Sequence, residues 1–199
     1  MGLELEYADG DTPLTEEEKE GLLIKTVSTH GELNEHEQWN IEKAVRWTIE
    51  KKLKSEKILT EDFIKQLHKK MLGDVWAWAG EFRKSEKNIG IKWVLIPTEL
   101  KKLLDDTSFQ IENKTYSPEE ITIRFKHRLV NIHCFANGNG RHSRIMADII
   151  MEKIFHLPPF TWSNSKMVKA DETRKKYIHA IREADKGNIS ALLKFAKTS

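Results

Sequence analysis

His133-Cys134-Phe135-Ala136-Asn137-Gly138-Asn139-Gly140-Arg141-His142-Ser143-Arg144 is the stretch around which the rest of the chain reads. Glycine tolerates positive φ and lets a backbone come close to a ligand, so Gly138 and Gly140 mark a tight turn. The apolar run Ile145-Met146-Ala147-Asp148-Ile149-Ile150 follows. A helix starting at the turn would point its unpaired N–H groups and positive dipole end into it. That combination is an anion cradle, and phosphate is the usual anion. Arg141 and Arg144 fall near one face of such a helix and can fork onto phosphate oxygens. His133 stands just outside, with an ordinary pKa suited to proton transfer near neutrality.

Working outward, 199 residues suit one domain with a sizeable core. With 39% hydrophobic and 32% charged residues and a net charge of +2, the chain reads as globular and carries no global nucleic-acid footprint. A single cysteine, Cys134, excludes an internal disulfide and fits a reducing compartment. No apolar run approaches the roughly 20 residues of a membrane span. The acidic start, Met1 to Glu6, lacks a signal peptide's basic-then-apolar order. The expectation is a cytoplasmic protein with no membrane or nucleic-acid partner.

Helix signals dominate the chain. Thr15-Glu16-Glu17-Glu18 is a capping box opening a short helix to about Lys25. Thr26 to Leu33 reads as a connector, and Asn34 caps a helix carrying Ile41, Val45, Ile49 and Leu53. Lys54 to Lys57 break it, and Thr60 caps the next, with Phe63, Ile64, Leu67 and Met71 on one face. Trp76 and Trp78 read as core plugs. β-prone runs around Gly90 predict a small hairpin between Phe82 and Pro97. Pro97 opens a helix, and Ser117-Pro118-Glu119-Glu120 opens another that leads into His133. Further helices are expected from Gly138 to Phe155, from Lys166 to Ala184, and at Leu192 to Phe195. The fold class is mostly α with one β-hairpin. Residues 1–33 read as an N-terminal arm with a short helix, and 34–199 as the main helical domain.

The opening stretch resembles the signature of the Fic (filamentation-induced-by-cAMP) family, H-P-F-x-[D/E]-G-N-G-R-x-x-R. It matches at His133, Phe135, Gly138, Asn139, Gly140, Arg141 and Arg144, and departs at Cys134 and Asn137. Trp78-Ala79-Gly80-Glu81-Phe82-Arg83 resembles the family's W-A-G-x-x-R element, and Tyr177 to Asn188 its C-terminal pattern. The whole chain, including Asp11 to Leu14 and Glu32 to Glu35, is similar to the Fic subgroup labelled mobile mystery protein B.

This resemblance implies a Fic-type helical domain with a hairpin flap ahead of the signature. It implies protein AMPylation: AMP moves from ATP to a Tyr, Ser or Thr hydroxyl of a target protein. His133 would be the general base. Gly138, Asn139 and Gly140 would hold the α-phosphate, Arg141 and Arg144 the β- and γ-phosphates, and Phe135 would position the loop. The family's acid at Asn137 helps bind Mg²⁺; an amide brings no charge, so metal affinity should fall. A slower transferase, a different phosphate donor, a binding module without turnover, and removal of AMP all stay open. Ser28 and Glu32 have the spacing of the family's inhibitory segment, in which a glutamate pairs with the second signature arginine; Glu32 as an ordinary residue before a helix is the other reading. Ile89, Gly90, Ile91, Lys92, Trp93 and Val94 would form the flap that docks the target by strand addition. Auto-modification and homo-oligomerisation are open partner readings. A zinc site from His127, His133, Cys134 and His142 is disfavoured by spacing and by the lack of C-x-x-C.

Overall fold

The computed structural model describes residues 13–162 and 170–198. Asp11, Thr12 and the expected helix start at Lys166 lie outside the described residues. The helices are α1 (Glu16–Glu20), α2 (His30–Glu50), α3 (Ser55–Ile58), α4 (Glu61–Leu72), α5 (Ile96–Asn113), α6 (Pro118–Ile132), α7 (Asn139–Ile149), α8 (Ala170–Asp185) and α9 (Ile189–Lys197). A 3-10 turn (Trp93–Leu95) precedes α5, and a π-helical turn (Ile150–Ile154) continues α7.

The caps explain most boundaries. Thr15 Oγ1 accepts from the Glu18 N–H (3.3 Å) and the Glu18 carboxylate from the Thr15 N–H (2.8 Å), the reciprocal box expected there. Ser117 Oγ accepts from the Glu120 N–H (3.3 Å), and Pro118 opens α6. The start of α2 corrects the sequence reading. It begins at His30 rather than after Asn34, because Thr29 and Glu32 form a second capping box. The helix therefore runs unbroken across residues 33 and 34, and Leu14, Leu22, Val27 and Leu33 pack in the main core. α1 stops at Glu20, where Gly21 caps it and Leu22 bridges to Trp76.

Around α6 the other elements are arranged: α5 and α7 pack against it, α4 packs on α2 and α7, and α8 and α9 pair with each other. The main core holds Ile64, Leu67, Met71 and Leu72 of α4, Leu100 and Leu103 of α5, Phe125 and Leu129 of α6, and Phe135. A smaller core joins Ile123 of α6 to Ala180, Ala184, Leu192 and Phe195. Both tryptophans behave as plugs. Trp76 is buried, and Trp78 stacks on it at 5.0 Å between ring centroids.

The expected hairpin is absent. Among the described residues no strand forms, and the only bridge is Leu22 to Trp76. Residues 82–92 are irregular, and Trp93 to Leu95 turn directly into α5. The reason is Arg83. The carbonyls of Ser85 and Ile91, which a hairpin would spend on cross-strand pairing, accept instead from the guanidinium of buried Arg83. Tertiary hydrogen bonding here overrides β-propensity.

Replacing Thr29 with alanine removes the α2 cap and should cost about 1 kcal/mol of stability, read by urea denaturation. A midpoint unchanged from the parent would show that Thr29 and Glu32 do not fix the start of α2.

Candidate functional site

α6 ends at His133, which adopts the left-handed conformation (φ 57°, ψ 60°) and caps the helix through its N–H on the Leu129 carbonyl. Such a conformation costs a non-glycine residue about 1 kcal/mol or more, and surrounding contacts must hold it. Arg83 supplies them. Its Nε donates to the His133 carbonyl (2.6 Å), and its own N–H to the Cys134 carbonyl (2.9 Å). One guanidinium thus ties residues 85 and 91 to the signature loop. Gly90 (φ 98°) lies on His133 so closely that a Cβ there would sit 2.5 Å from the histidine Cβ.

His133 is consequently only 4% exposed, and Nδ1–H donates to the Val130 carbonyl (3.3 Å). That assignment leaves Nε2 as the nitrogen carrying the lone pair. Burial, with Arg83 and Lys87 nearby, pushes its pKa down to about 4, so the ring is neutral near pH 7. Cys134, in the family's proline position, is buried, and its thiol is pushed up to about 12, too weakly acidic for a nucleophile.

Phe135 is fully buried and stacks on His68 at 3.7 Å between ring centroids, with the edge of His142 at 5.2 Å. His68 bridges two motifs. Its Nδ1 accepts from the Gly80 N–H (3.0 Å) and its Nε2–H donates to the Asn137 carbonyl (3.0 Å). Burial holds His68 well below its ordinary pKa, which preserves the neutral tautomer that both bonds require. His142 Nε2–H donates to the Ile64 carbonyl (3.0 Å).

The turn itself follows the expected pattern in one glycine and not the other. Gly138 has φ 77°, and a Cβ would lie 2.7 Å from Leu72 Cδ1. Gly140 sits in the first turn of α7 with open space where a Cβ would be, so it leaves room rather than supplying a special conformation. The amides of Asn139, Gly140 and Arg141 precede the first bond of α7, His142 N–H to Gly138 carbonyl (2.9 Å).

The Asn139 side chain, expected near the phosphate, bonds within the loop in this structure. Its amide accepts from the Phe135 N–H (3.0 Å) and donates to the Phe135 carbonyl (2.8 Å), and the residue is buried. It closes the loop and offers only its backbone N–H to the cradle. Asn137 Oδ1 accepts from the Gly138 N–H (2.6 Å). One neutral oxygen already engaged makes a poor Mg²⁺ donor set. Among the described residues no His, Cys, Asp and Glu cluster suits another metal.

The two arginines diverge. Arg144 lies over the Tyr177 ring (5.4 Å) with Nε on the Gly140 carbonyl (3.4 Å). Arg141 meets a carboxylate absent from the sequence reading: Glu37 Oε2 at 2.7 Å, while Glu37 Oε1 accepts from Trp76 Nε1 at 2.7 Å. Glu37 is 3% exposed. Glu32 is exposed and bound to its own helix end, accepting from Ser28 N–H (2.9 Å), Ser28 Oγ (3.2 Å) and Thr29 N–H (3.2 Å). The backbone bond from Ser28 is the main reason its pKa is lowered. A signal for Glu37 existed: it falls in the stripe Leu33, Glu37, Asn40, Ile41 and Ala44, where a buried acid needs a cation. His68 lies likewise on the Ile64, Leu67, Met71 face.

Of the residues expected to form a flap, Gly90 packs against His133, while Ile89, Trp93 and Val94 are exposed. No described helix is long and apolar enough to cross a membrane.

Comparison with known proteins agrees with this geometry. Residues 58–151 match the model of the Fic/DOC family. "Protein adenylyltransferase Fic" of Aedes aegypti is 23% identical over 175 residues, 86% of this chain and 32% of that protein. Its Drosophila melanogaster counterpart is 26% identical over 136 residues, 66% of this chain and 26% of that protein. The chain thus spans about a third or less of these relatives. Among solved structures, Fic-1 (aa134 - 508) from C. elegans superposes with a TM-score of 0.67 at 23% identity, covering 89% of this chain and 51% of that one. BepC of Bartonella tribocorum with bound AMPPNP gives 0.67 at 15% identity, covering 92% and 97%. The turn stapled by Asn139 and the capped His133 both fall inside residues 58–151, the stretch that matches the Fic/DOC family model.

Proposed function

We propose that this chain is a nucleotidyltransferase that moves AMP from ATP onto a hydroxyl side chain of a target protein. The observation that carries the reading is the placement of neutral His133 at the C-terminus of α6, six positions before the first open amide of α7. The target oxygen would attack the α-phosphorus as His133 Nε2 takes its proton. The new O–P bond forms, the bond to the β-phosphate bridge breaks, and pyrophosphate leaves. The Asn139 and Gly140 amides face the site where charge grows on the α-phosphate. Arg141 and Arg144 would neutralise the β- and γ-phosphates. The likeness to adenylyltransferases and to a structure holding AMPPNP supports this assignment. Exposed Ile89, Trp93 and Val94 would receive the target beside His133. The similarity to the mobile mystery protein B subgroup adds no target.

The described state is restrained. Glu37 occupies Arg141 as a phosphate would, so Glu37 rather than Glu32 is the carboxylate placed for self-inhibition. Any Mg²⁺ would arrive on the nucleotide and meet, among the described residues of the turn, the neutral Asn137 Oδ1, so charge neutralisation would rest mainly on the arginines and amides.

With α-labelled ATP and a cell lysate, the parent should label protein, γ-labelled ATP should not, and His133→Ala should abolish labelling. Transfer from the γ position alone would mean phosphorylation, and tight ATP binding without transfer would mean a binding module. Glu37→Gln keeps an acceptor for Trp76 but releases Arg141. Losing one charge-assisted bond should raise nucleotide affinity and transfer about tenfold or more. An unchanged affinity in titration calorimetry contradicts the block. Asn137→Asp should speed transfer at saturating Mg²⁺; a variant no faster than the parent shows that metal binding was not limiting. Because His133 is held near 4, kcat at saturating nucleotide should stay flat between about pH 6 and 8 and fall only in stronger acid. A rise centred on the ordinary value of 6.5 would contradict that.

A further inference from the structure

Behind Arg144 lies a group that the transfer reaction does not use. Lys126 of α6 is fully buried. Its Nζ donates to Tyr177 Oη and sits 4.3 Å from the centroid of the Tyr177 ring. Arg144 lies over the same ring (5.4 Å). A buried ammonium needs a carboxylate within contact distance to offset lost hydration. Among the described residues Lys126 has none, and its neighbour across the tyrosine is another cation. The acids described on the elements around it hold other partners. Asp185 of α8 binds His127 (2.8 Å) and Asn131 (2.9 Å). Asp148 of α7 binds Trp162 Nε1 (2.9 Å) and the Phe160 N–H (3.2 Å). Glu120 pairs with Arg124, and Asp106 of α5 with Arg128. From α9, Phe195 packs on Tyr177. Tyr177 is itself raised above its ordinary value by burial and supplies no anion.

We propose that Lys126 is a proton-coupled counter-charge: its amine is neutral while the cradle is empty and takes one proton from solvent when a polyphosphate docks at Arg144. The inference rests on the cradle reading above. The bound anion supplies the negative field that the empty site lacks, and the amine lone pair bonds the incoming proton with no other bond changed. Burial first, and the Arg144 charge second, hold empty-state Lys126 well below the ordinary lysine range; the more distant Asp185 charge opposes them without cancelling them. The extra charge falls in a chain whose signature carries neutral Asn137 in place of an acid that would recruit metal.

Linkage fixes the sign. Binding that takes up one proton weakens about tenfold per pH unit wherever the empty-state amine is deprotonated and the bound one is not. Titration calorimetry of the full chain with AMPPNP and with inorganic tripolyphosphate at pH 8, in two buffers of different ionisation enthalpy, reads the uptake directly. The parent should take up close to one proton with either anion, and Lys126→Met, an apolar replacement of similar length, close to none. Binding without uptake, or uptake retained in Lys126→Met, overturns the coupling alone. Binding of neither anion overturns the cradle and the coupling with it. Lysine side-chain NMR of the empty protein supplies a reading free of ligand and variant. One lysine that titrates well below the others and is missing from Lys126→Met supports the assignment; uniform titration near the ordinary value overturns it.

Discussion

A six-residue backbone loop between two helices, 133–138, depends on side chains to satisfy its polar groups. Buried amides and carbonyls must be paired, and here helix and sheet partners are unavailable. Asn139 takes both backbone groups of Phe135, His68 takes the carbonyl of Asn137, and Arg83 takes the carbonyl of His133. Each donor comes from a different element, so the loop is fixed from three sides. The amides left over, at the start of α7, are the ones proposed to meet a phosphate. Pre-formed donors need no reorganisation when an anion arrives, and catalysis by electrostatic placement relies on that.

The same economy explains why the site is restrained as described. Arg83 spends one guanidinium on both the signature loop and the 85–91 segment, so the cover over His133 and its strained conformation are one construction. Glu37 is likewise held at both oxygens, by Trp76 and by Arg141. On the proposed reading, a triphosphate would have to displace a buried carboxylate from a charge-assisted bond at Arg141. Arg144, by contrast, rests over an aromatic ring with no carboxylate partner among the described residues.

Much of this was legible before any coordinates. The Thr15 box, the Ser117-Pro118 start and the apolar stripes of α4 and α6 are local signals, and local hydrogen bonds realise them. The signature's glycines marked the turn, although only Gly138 needs its unusual φ. What failed was non-local. The β-prone run at Ile89 to Ile96 could not announce that Arg83 would claim its carbonyls. Ser28 and Glu32 have a motif's spacing, yet in the fold Glu32 serves as the capping partner of Thr29 at the start of α2. Glu37 sat unremarked inside an apolar stripe because its partner, Arg141, lies on a helix 104 positions further along the sequence. Asn139 looked like a ligand group, yet its amide closes the loop on which the ligand groups stand.

The claim that the start of α7 is a ready polyphosphate cradle is tested most directly by backbone amide NMR during titration with AMPPNP. The account predicts that the Asn139, Gly140 and Arg141 amides shift most, saturating together with the Arg141 side-chain signal. Saturable AMPPNP binding that leaves those three amides unmoved would contradict it.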